Sequence, residues 1–336
     1  MRATTGVLIR LLAGGGLLAF VLVRADLGAS TLRWDARAAA GVAAAFALAA
    51  AAQGLSAARW RLVLGADDAP PFGRLLRLYL VGQFFSLFLP TSVGGDAVRA
   101  VAVSRGARRP AWAVSSVVFE RFLGVLALLG MLALGGWMAP GVFRASAGRA
   151  SLGLQLGGAQ IAIALLLLAI VGWVGWRMIR RSARIRRVAG EAAALWTGLA
   201  ARPAAFGAAL GVSLGVQGAY VAAWMALAAG LRLPVGWGEM LVFVPFVSLA
   251  AMVPVTVAGI GVREGAWALL LAPYGVAAAD AVAFSLLYFL AFCLIGAIGG
   301  AVFAMEGIGG TRQADGRPSP ARSGSHPLPQ TAWERE

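Results

Sequence analysis

The apolar residues of this chain form long runs, which are separated by short segments that carry arginine. A helix needs about 20 consecutive apolar residues to cross a bilayer. The pattern predicts six spanning helices, within residues 11–23, 38–57, 112–138, 153–176, 204–229 and 279–305. The first run is short and follows arginine, as a signal peptide does. No small-x-small cleavage site comes directly after it, so we favour a spanning helix.

Two further apolar segments are broken by proline. Residues 75–93 contain Pro90, and residues 240–257 contain Pro254. Proline lacks the N–H that continues a helix, and broken backbone is tolerated at membrane depth only inside protein or beside a wet cavity. We therefore predict two re-entrant segments. A topology in which both segments are full spans is the alternative.

The two broken segments share a motif. Residues 89–99 read LPTSVGGDAVR and residues 253–263 read VPVTVAGIGVR, and the two align without a gap. Broken segments at matching places in two halves of opposite orientation are typical of inverted-repeat transporters. We predict a transmembrane domain over 1–306, with repeat halves at about 38–138 and 204–305, a basic amphipathic linker at 177–202 and a disordered tail at 307–336.

The composition sets the class of protein. Apolar residues make up 60% and charged residues 13% of the 336 positions, whereas soluble domains have about 45–50% and 25%. This excludes a soluble enzyme and a disordered chain, and it predicts an all-α, polytopic helical membrane protein. The single cysteine, Cys293, and the single histidine, His326, exclude an internal disulfide, a Cys- or His-based metal site and a Ser-His-Asp triad. We predict no catalytic residues, no metal and no cofactor.

The net charge indicates an orientation. The formal charge of +15 rests on arginine alone, because the chain has no lysine. In the topology with re-entrant segments, one side of the membrane holds 20 arginines and the other side holds 6. The richer side consists of the N-terminus, the segments 57–77, 99–111 and 177–202, and the tail. This asymmetry fits the positive-inside rule better than nucleic-acid binding. We predict that both termini are cytoplasmic.

The repeated motif also supplies a candidate binding site. A helix that restarts near Gly95 or Gly259 would direct free backbone N–H groups at the break, where they attract an anion. Arg99 and Arg263 add fixed positive charge suited to a phosphate. The predicted residues for binding a phosphate or head group are Arg99, Arg263, Gly94, Gly95, Gly259 and Gly261. The alternative is a pair of ordinary kinked helices whose arginines mark the start of loops.

Charged residues inside the apolar runs need partners. Glu120 and Arg121 lie about 12 Å into a predicted span, where a charge costs at least ~2.5 kcal/mol. Adjacent residues do not face each other on a helix, so each needs its own partner, and Asp96 and Arg99 are the nearest candidates. Arg263 and its neighbour pose the same problem. We predict a charge network around a head group, or one that couples protons, of Asp96, Glu120, Arg121 and Glu264. The alternative is that these carboxylates only neutralise arginine and lock the fold.

Four stretches together resemble the transmembrane domain of the lysylphosphatidylglycerol synthase/flippase family. They are RWRLVLG at 59–65, LVGQFFSLFLPTSVGGDAVRA at 80–100, VVFERFLG at 117–124 and PVTVAGIGVREGAW at 254–267. The resemblance covers roughly residues 5–305 and implies a multi-pass protein of the bacterial inner membrane. The proline, glycine and charged site residues named above stand at the family's motif positions.

The resemblance also bears on activity. The resemblance implies the role of this region in two-domain members, which is to flip an aminoacylated phospholipid that a soluble domain makes from aminoacyl-tRNA. The chain ends about 30 residues after the last predicted span, so we expect that domain to be absent and predict no aminoacyl transfer.

The function that fits best is a lipid flippase or transporter. Its ligand would be a membrane lipid, either an anionic phospholipid or a lipid-linked head group. One alternative is a non-transporting membrane partner of a glycosyltransferase or lipid-modifying enzyme. Another is an intramembrane enzyme that uses carboxylates, although no nucleophile with an evident base is present. The sequence leaves open whether the chain forms a homo-oligomer.

Overall fold

A computed structural model describes residues 30–65, 69–88, 94–105, 110–142, 203–252 and 259–306, with seven separate positions between 186 and 198. The described residues contain no strand. Their helices, in chain order, are α1 (Ala36–Leu64), α2 (Phe72–Phe88), α3 (Gly94–Ser104), α4 (Pro110–Met138), α5 (Pro203–Gly230), α6 (Trp237–Met252), α7 (Val262–Leu271) and α8 (Ala278–Glu306). A short 3-10 turn, Ala272–Tyr274, follows α7.

Four of the six predicted spans are confirmed. Helices α1, α4, α5 and α8 contain 28- or 29-residue stretches that are apolar enough to cross a membrane. At 1.5 Å per residue, about 42 Å of helix exceeds the ~30 Å hydrocarbon core. The predicted spans at 11–23 and 153–176, most of the linker at 177–202 and the tail at 307–336 lie outside the described residues.

Helix α1 runs antiparallel to α5. Near the start of α1, Gly41 lies so close to Gly230, at the end of α5, that a Cβ on Gly41 would be 2.8 Å from the Gly230 Cα. Midway along both helices, the Gln53 amide nitrogen donates to the Tyr220 hydroxyl over 3.3 Å. Residue numbers therefore increase along α1 while those of the neighbouring residues in α5 decrease.

Helix α4 also runs antiparallel to α1. The Trp60 indole nitrogen donates to the Ser116 hydroxyl over 2.9 Å, and the Trp112 indole nitrogen donates to the Leu64 carbonyl over 3.4 Å. The end of α1 and the start of α4 thus lie at the same end of the bundle.

Two aspartates connect helices at the other end of the bundle, where α1 and α8 begin. Asp35 caps α1 by accepting from the Ala38 N–H over 3.0 Å, and it pairs with Arg232 after α5 over 2.5 Å. These two interactions hold the pKa of Asp35 below its usual value. In the first turn of α8, Asp280 accepts from the Thr31 N–H and hydroxyl, each over 2.8 Å. The starts of α1 and α8 and the end of α5 therefore meet here.

Both broken segments form hairpins that return to the end of the bundle from which they enter. One buried cluster contains Leu64 at the end of α1, Leu75 at the start of α2 and Val103 at the end of α3. In the other hairpin, the Phe243 ring in α6 lies edge-on to Tyr274, just after α7. The re-entrant reading is confirmed, and the alternative with two more full spans is wrong.

The helices form two series of the same order. Each series is a long helix, a two-helix hairpin and a second long helix, with lengths of 29, 17, 11 and 29 residues and of 28, 16, 10 and 29 residues. Because the equivalent helices α1 and α5 are antiparallel, the series are inverted relative to each other.

The hairpin of each series packs on the last helix of the other series. Gly135 of α4 leaves no room for a Cβ beside Leu241 of α6, and Gly299 of α8 leaves none beside Leu80 of α2. Small residues allow such close approach of helix backbones in membranes. The hairpins are therefore held at the interface between the two series.

Candidate functional site

A cavity of about 360 Å³ lies where the two hairpins approach each other. All eight helices contribute to its wall, so both series enclose it. The two arginines of the repeated motif, Arg99 of α3 and Arg263 of α7, both line it. The predicted residues Gly95, Asp96, Glu120 and Arg121 line it as well.

The other predicted site residues take different places. Gly94, Gly259, Gly261 and Glu264 are not part of the cavity wall. Pro90 and Pro254 lie outside the described residues, between helices that end at Phe88 and Met252 and helices that begin at Gly94 and Val262.

Arg99 is the most enclosed cation of the cavity and is only 6% exposed. Its Nη1 donates to Asp96 Oδ1 over 3.1 Å, and its Nη2 donates to Glu120 Oε2 over 2.5 Å. Its Cζ lies 3.6 Å from the ring centroid of Tyr79 and 4.4 Å from that of Trp60. Its Nε has no hydrogen-bond partner among the described residues. A buried donor of this kind is a candidate contact for a ligand.

Glu120 is hydrogen-bonded to side chains of three other helices and is 2% exposed. Its Oε1 accepts from Arg59 Nε over 3.2 Å and from Arg59 Nη2 over 3.0 Å, and the Tyr79 hydroxyl also donates to it. Arg59 Nη1 donates to Ser213 of α5 over 3.3 Å. Two arginines on one carboxylate, together with Asp96 on Arg99, offset much of the cost of burying these charges.

Arg121 points away from Glu120, as expected for adjacent residues on a helix. Its Nε donates to Asp96 Oδ2, and its side chain is 46% exposed. The predicted partners are therefore confirmed: Glu120 pairs with Arg99, and Arg121 pairs with Asp96.

The expectation for Arg263 and Glu264 is wrong, because these adjacent residues bind each other. Arg263 Nη2 donates to Glu264 Oε1 over 2.6 Å, and Ser285 of α8 bonds to both side chains over 3.1 Å. Glu264 lies in the first turn of α7, and its Oε2 accepts from the Gly261 N–H over 2.6 Å. That capping contact folds the carboxylate back along the helix start, alongside the guanidinium.

The two helix starts also differ from each other. Helix α3 begins at Gly94, beside the expected restart near Gly95, but α7 begins at Val262, three residues after Gly259. Gly259 and Gly261 have φ values of +71° and +84°, a left-handed backbone conformation that changes the direction of the chain just before α7. Since the Gly261 N–H already donates to Glu264, the protein's own carboxylate occupies that donor.

The charges around the cavity favour an anion. Among the described residues, the arginines Arg59, Arg99, Arg121 and Arg263 lie beside the carboxylates Asp96, Glu120 and Glu264, which gives a formal excess of one positive charge. Each carboxylate is already paired with arginine. In a buried, low-dielectric setting such an excess attracts a phosphate strongly.

The sequence pattern misses one charged residue of the site. It ends the second span near residue 57 and leaves Arg59 in a loop, whereas α1 continues to Leu64 and buries Arg59 to 7% exposure. Gln53 and Ser56 precede Arg59 at intervals of three residues and also line the cavity. This polar stripe on an otherwise apolar helix is the signal that could have located Arg59.

No group of three or more His, Cys, Asp or Glu side chains that could hold a metal ion occurs within the described ranges. The polar side chains at the cavity carry amide, hydroxyl, carboxylate, guanidinium and indole groups. Such groups suit the binding of an anionic, hydrogen-bonding molecule.

Comparison with known proteins identifies a family. A family model described as the lysylphosphatidylglycerol synthase TM region matches residues 7–300, a range that contains every residue of the cavity and all of both helix series except the last six residues of α8. No curated protein and no solved structure matches the chain.

Proposed function

Since the chain belongs to the family of the lysylphosphatidylglycerol synthase transmembrane region, we propose that this integral membrane protein is a lipid flippase or transporter. It moves a phospholipid or a lipid-linked head group between the leaflets of a bacterial inner membrane. The phosphate of that head group binds between Arg99 and Arg263, and Asp96, Glu120, Arg121 and Glu264 hold these arginines in place.

One observation carries this proposal. Arg99 and Arg263 come from two hairpins that enter the bundle from opposite ends, yet both line the same cavity of about 360 Å³. Cavities of roughly 300–1,000 Å³ are typical of small-molecule sites. Sites at the interface of inverted repeats, built from broken helices, are typical of transporters.

Physical cost supports the same interpretation. An arginine at membrane depth costs at least ~2.5 kcal/mol, and such residues usually mark a substrate or ion pathway. Among the described residues around the cavity, the four arginines carry one more charge than the three carboxylates neutralise. A lipid phosphate supplies the missing negative charge, while its acyl chains remain in the surrounding bilayer.

Reconstitution into liposomes tests the proposal. We expect the wild type to expose a fluorescent anionic phospholipid of the inner leaflet to dithionite added outside. Arg99→Gln and Arg263→Gln should each slow this exchange by about tenfold or more, because each removes a charge-assisted hydrogen bond worth about 1.5–3 kcal/mol. The matched control is Arg105→Gln, which changes an exposed arginine in the turn after α3.

Size-exclusion profiles and unfolding temperatures in detergent separate loss of transport from loss of fold. Full exchange in both folded site variants would contradict the site assignment. No exchange by the wild type, combined with a stoichiometric glycosyltransferase or lipid-modifying enzyme in the purified sample, would replace the proposal with the accessory-partner function.

A further inference from the structure

We propose that the cavity selects a phosphodiester head group that carries hydroxyl groups and lacks an amine, such as phosphoglycerol, phosphoinositol or a sugar phosphate. This inference rests on the proposed lipid transport and specifies the chemical class of the substrate. It also means that a cationic, aminoacylated head group is not the preferred ligand of this chain.

The first argument concerns the carboxylates. Asp96 and Glu120 are the two carboxylates that line the wall and that could pair with an ammonium group in the cavity. Asp96 already binds Arg99 and Arg121, and Glu120 already binds Arg59 and Arg99. An amine would have to displace buried arginines, and like charges in a low-dielectric site repel strongly.

The second argument concerns two buried donors without partners. Arg99 Nε and Gln83 Nε2 are both buried, and neither has a hydrogen-bond partner in the part of the chain that the structure describes. Both residues line the cavity. A guanidinium edge fits a phosphate oxygen, and an amide N–H fits a neutral oxygen such as a hydroxyl. The pair therefore matches a phosphate that bears a hydroxylated substituent.

The third argument concerns the neutral polar groups of the wall. The cavity is also lined by Gln53, Ser56, Gln217 and Ser248, from three different helices. Amides and hydroxyls can both donate and accept, as a hydroxyl-rich ligand requires, whereas an ammonium can only donate. Gln53 and Gln217 each use an amide nitrogen in a bond to the protein, which fixes their side chains for recognition.

The fourth argument concerns an aromatic wall. Trp224 and Tyr288 stack with ring centroids 3.9 Å apart and planes 16° apart, and both line the cavity. The carbon-bound hydrogens of a sugar, inositol or glycerol group pack well against an aromatic surface with a polar edge. The arginines and this aromatic pair line the same cavity, so one ligand can contact both.

Native mass spectrometry of the full chain with defined lipids tests the selectivity. Four lipids with the same acyl chains are compared: phosphatidylglycerol, phosphatidylinositol, phosphatidylethanolamine and phosphatidylethanol. Phosphatidylethanol is the decisive reference, because it has the single negative charge of a phosphodiester and no hydroxyl. We expect the wild type to retain phosphatidylglycerol or phosphatidylinositol at least about tenfold better than phosphatidylethanol, and phosphatidylethanolamine least.

Gln83→Leu is the sharpest variant, since its amide nitrogen has no hydrogen bond to the described protein that could be lost. We expect it to fold with an unchanged or higher unfolding temperature and to bind phosphatidylethanol as the wild type does. The preference for the hydroxylated lipids should fall about tenfold. The control is Ser104→Ala, whose hydroxyl bonds only to the Val101 carbonyl on the exposed face of α3.

Three results would overturn the inference. They are equal retention of phosphatidylethanol by the wild type, a preference for phosphatidylethanolamine, and an unchanged preference in folded Gln83→Leu. Failure of lipid transport itself would be seen separately, as absence of dithionite exchange for every lipid, while the binding preference would remain. The two proposals can therefore fail independently.

Discussion

Glu120 accepts hydrogen bonds from Arg59, Arg99 and Tyr79, which belong to three different helices. Replacing it with glutamine leaves two buried arginines with less compensating charge. Breaking a buried ion pair by removing one partner costs about 3–5 kcal/mol. We expect Glu120→Gln to lower the free energy of unfolding by about that amount, measured in detergent as a lower unfolding midpoint.

An exposed carboxylate provides the comparison. Asp35 pairs with Arg232, but both side chains are more than 40% exposed. Exposed pairs contribute little, and asparagine keeps the cap of α1. Asp35→Asn should therefore leave the unfolding midpoint close to that of the wild type. A Glu120→Gln protein as stable as this control would mean that the arginines do not depend on the carboxylate.

Sequence reasoning predicts the residue pairs unevenly. Helix geometry alone predicts that Glu120 and Arg121 need separate partners, and the predicted topology makes Asp96 and Arg99 the nearest candidates. It fails for Glu264, because a carboxylate in a first turn folds back onto the helix start and so reaches its neighbour Arg263. The periodicity of apolar residues does not predict this local capping contact.

At the scale of elements, Gly95 sets the distance between α2 and α3. A Cβ on Gly95 would collide with the Gly82 carbonyl and the Ser86 hydroxyl. Since backbone atoms cannot yield as a flexible side chain does, the two helices would have to separate. We expect Gly95→Ala to destabilise the protein by about 1–3 kcal/mol and to slow lipid exchange, as measured by thermal unfolding and by the dithionite assay.

Gly130 is the matched control for that substitution. It lies on the exposed face of α4, and a Cβ there would meet nothing within 4 Å. Alanine is a better helix former than glycine by up to about 1 kcal/mol. Gly130→Ala should therefore fold and transport as well as the wild type. Equal behaviour of the two alanine variants would show that the contact between α2 and α3 is not tight in the membrane.

The elements themselves follow closely from apolar length and from proline. The segments predicted at 75–93 and 240–257 become α2 and α6, which end at Phe88 and Met252. The start of α7 is less predictable, because it depends on positive φ values at Gly259 and Gly261. A glycine in the sequence permits such a conformation but does not require it.

At the scale of the whole molecule, the contacts bring the arginine-rich segments together. The start of α4 lies beside the end of α1, which places the described residues of the segments 57–77 and 99–111 at one end of the bundle. The pair of Asp35 and Arg232 places residues 30–37 and 230–238 at the other end. The burial of Arg59 and Arg99 removes two of the 20 arginines from the richer side. The asymmetry still predicts that this end is cytoplasmic.

Single cysteines in a Cys293→Ala background test this orientation. Trp34→Cys lies at the arginine-poor end, where the native side chain is 64% exposed, and Arg105→Cys lies in an exposed turn at the arginine-rich end. We expect a membrane-impermeant thiol reagent to label Trp34→Cys in spheroplasts and Arg105→Cys in inside-out vesicles. The opposite labelling would place the arginine-rich end outside the cell.

The overall plan of the molecule follows partly from the sequence. The repeated motif at 89–99 and 253–263 predicts that the broken segments are related, and the arginine count predicts their opposite orientation. The meeting of Arg99 and Arg263 at one cavity depends on how the hairpins cross between the two series. Glycine contacts such as Gly135 with Leu241 set that crossing, and they have no signature in a single sequence.

The inverted arrangement of α1–α4 and α5–α8 also suggests the geometry of a second conformation. If each series adopted the conformation of the other, the two hairpins would exchange roles, as the halves of inverted-repeat transporters do. Both shapes would use the same helices, and the contacts specific to one series, such as those of Glu120 and Glu264, would set the difference in free energy between them. Under the proposed transport function, this exchange would give access from either side without an additional moving domain.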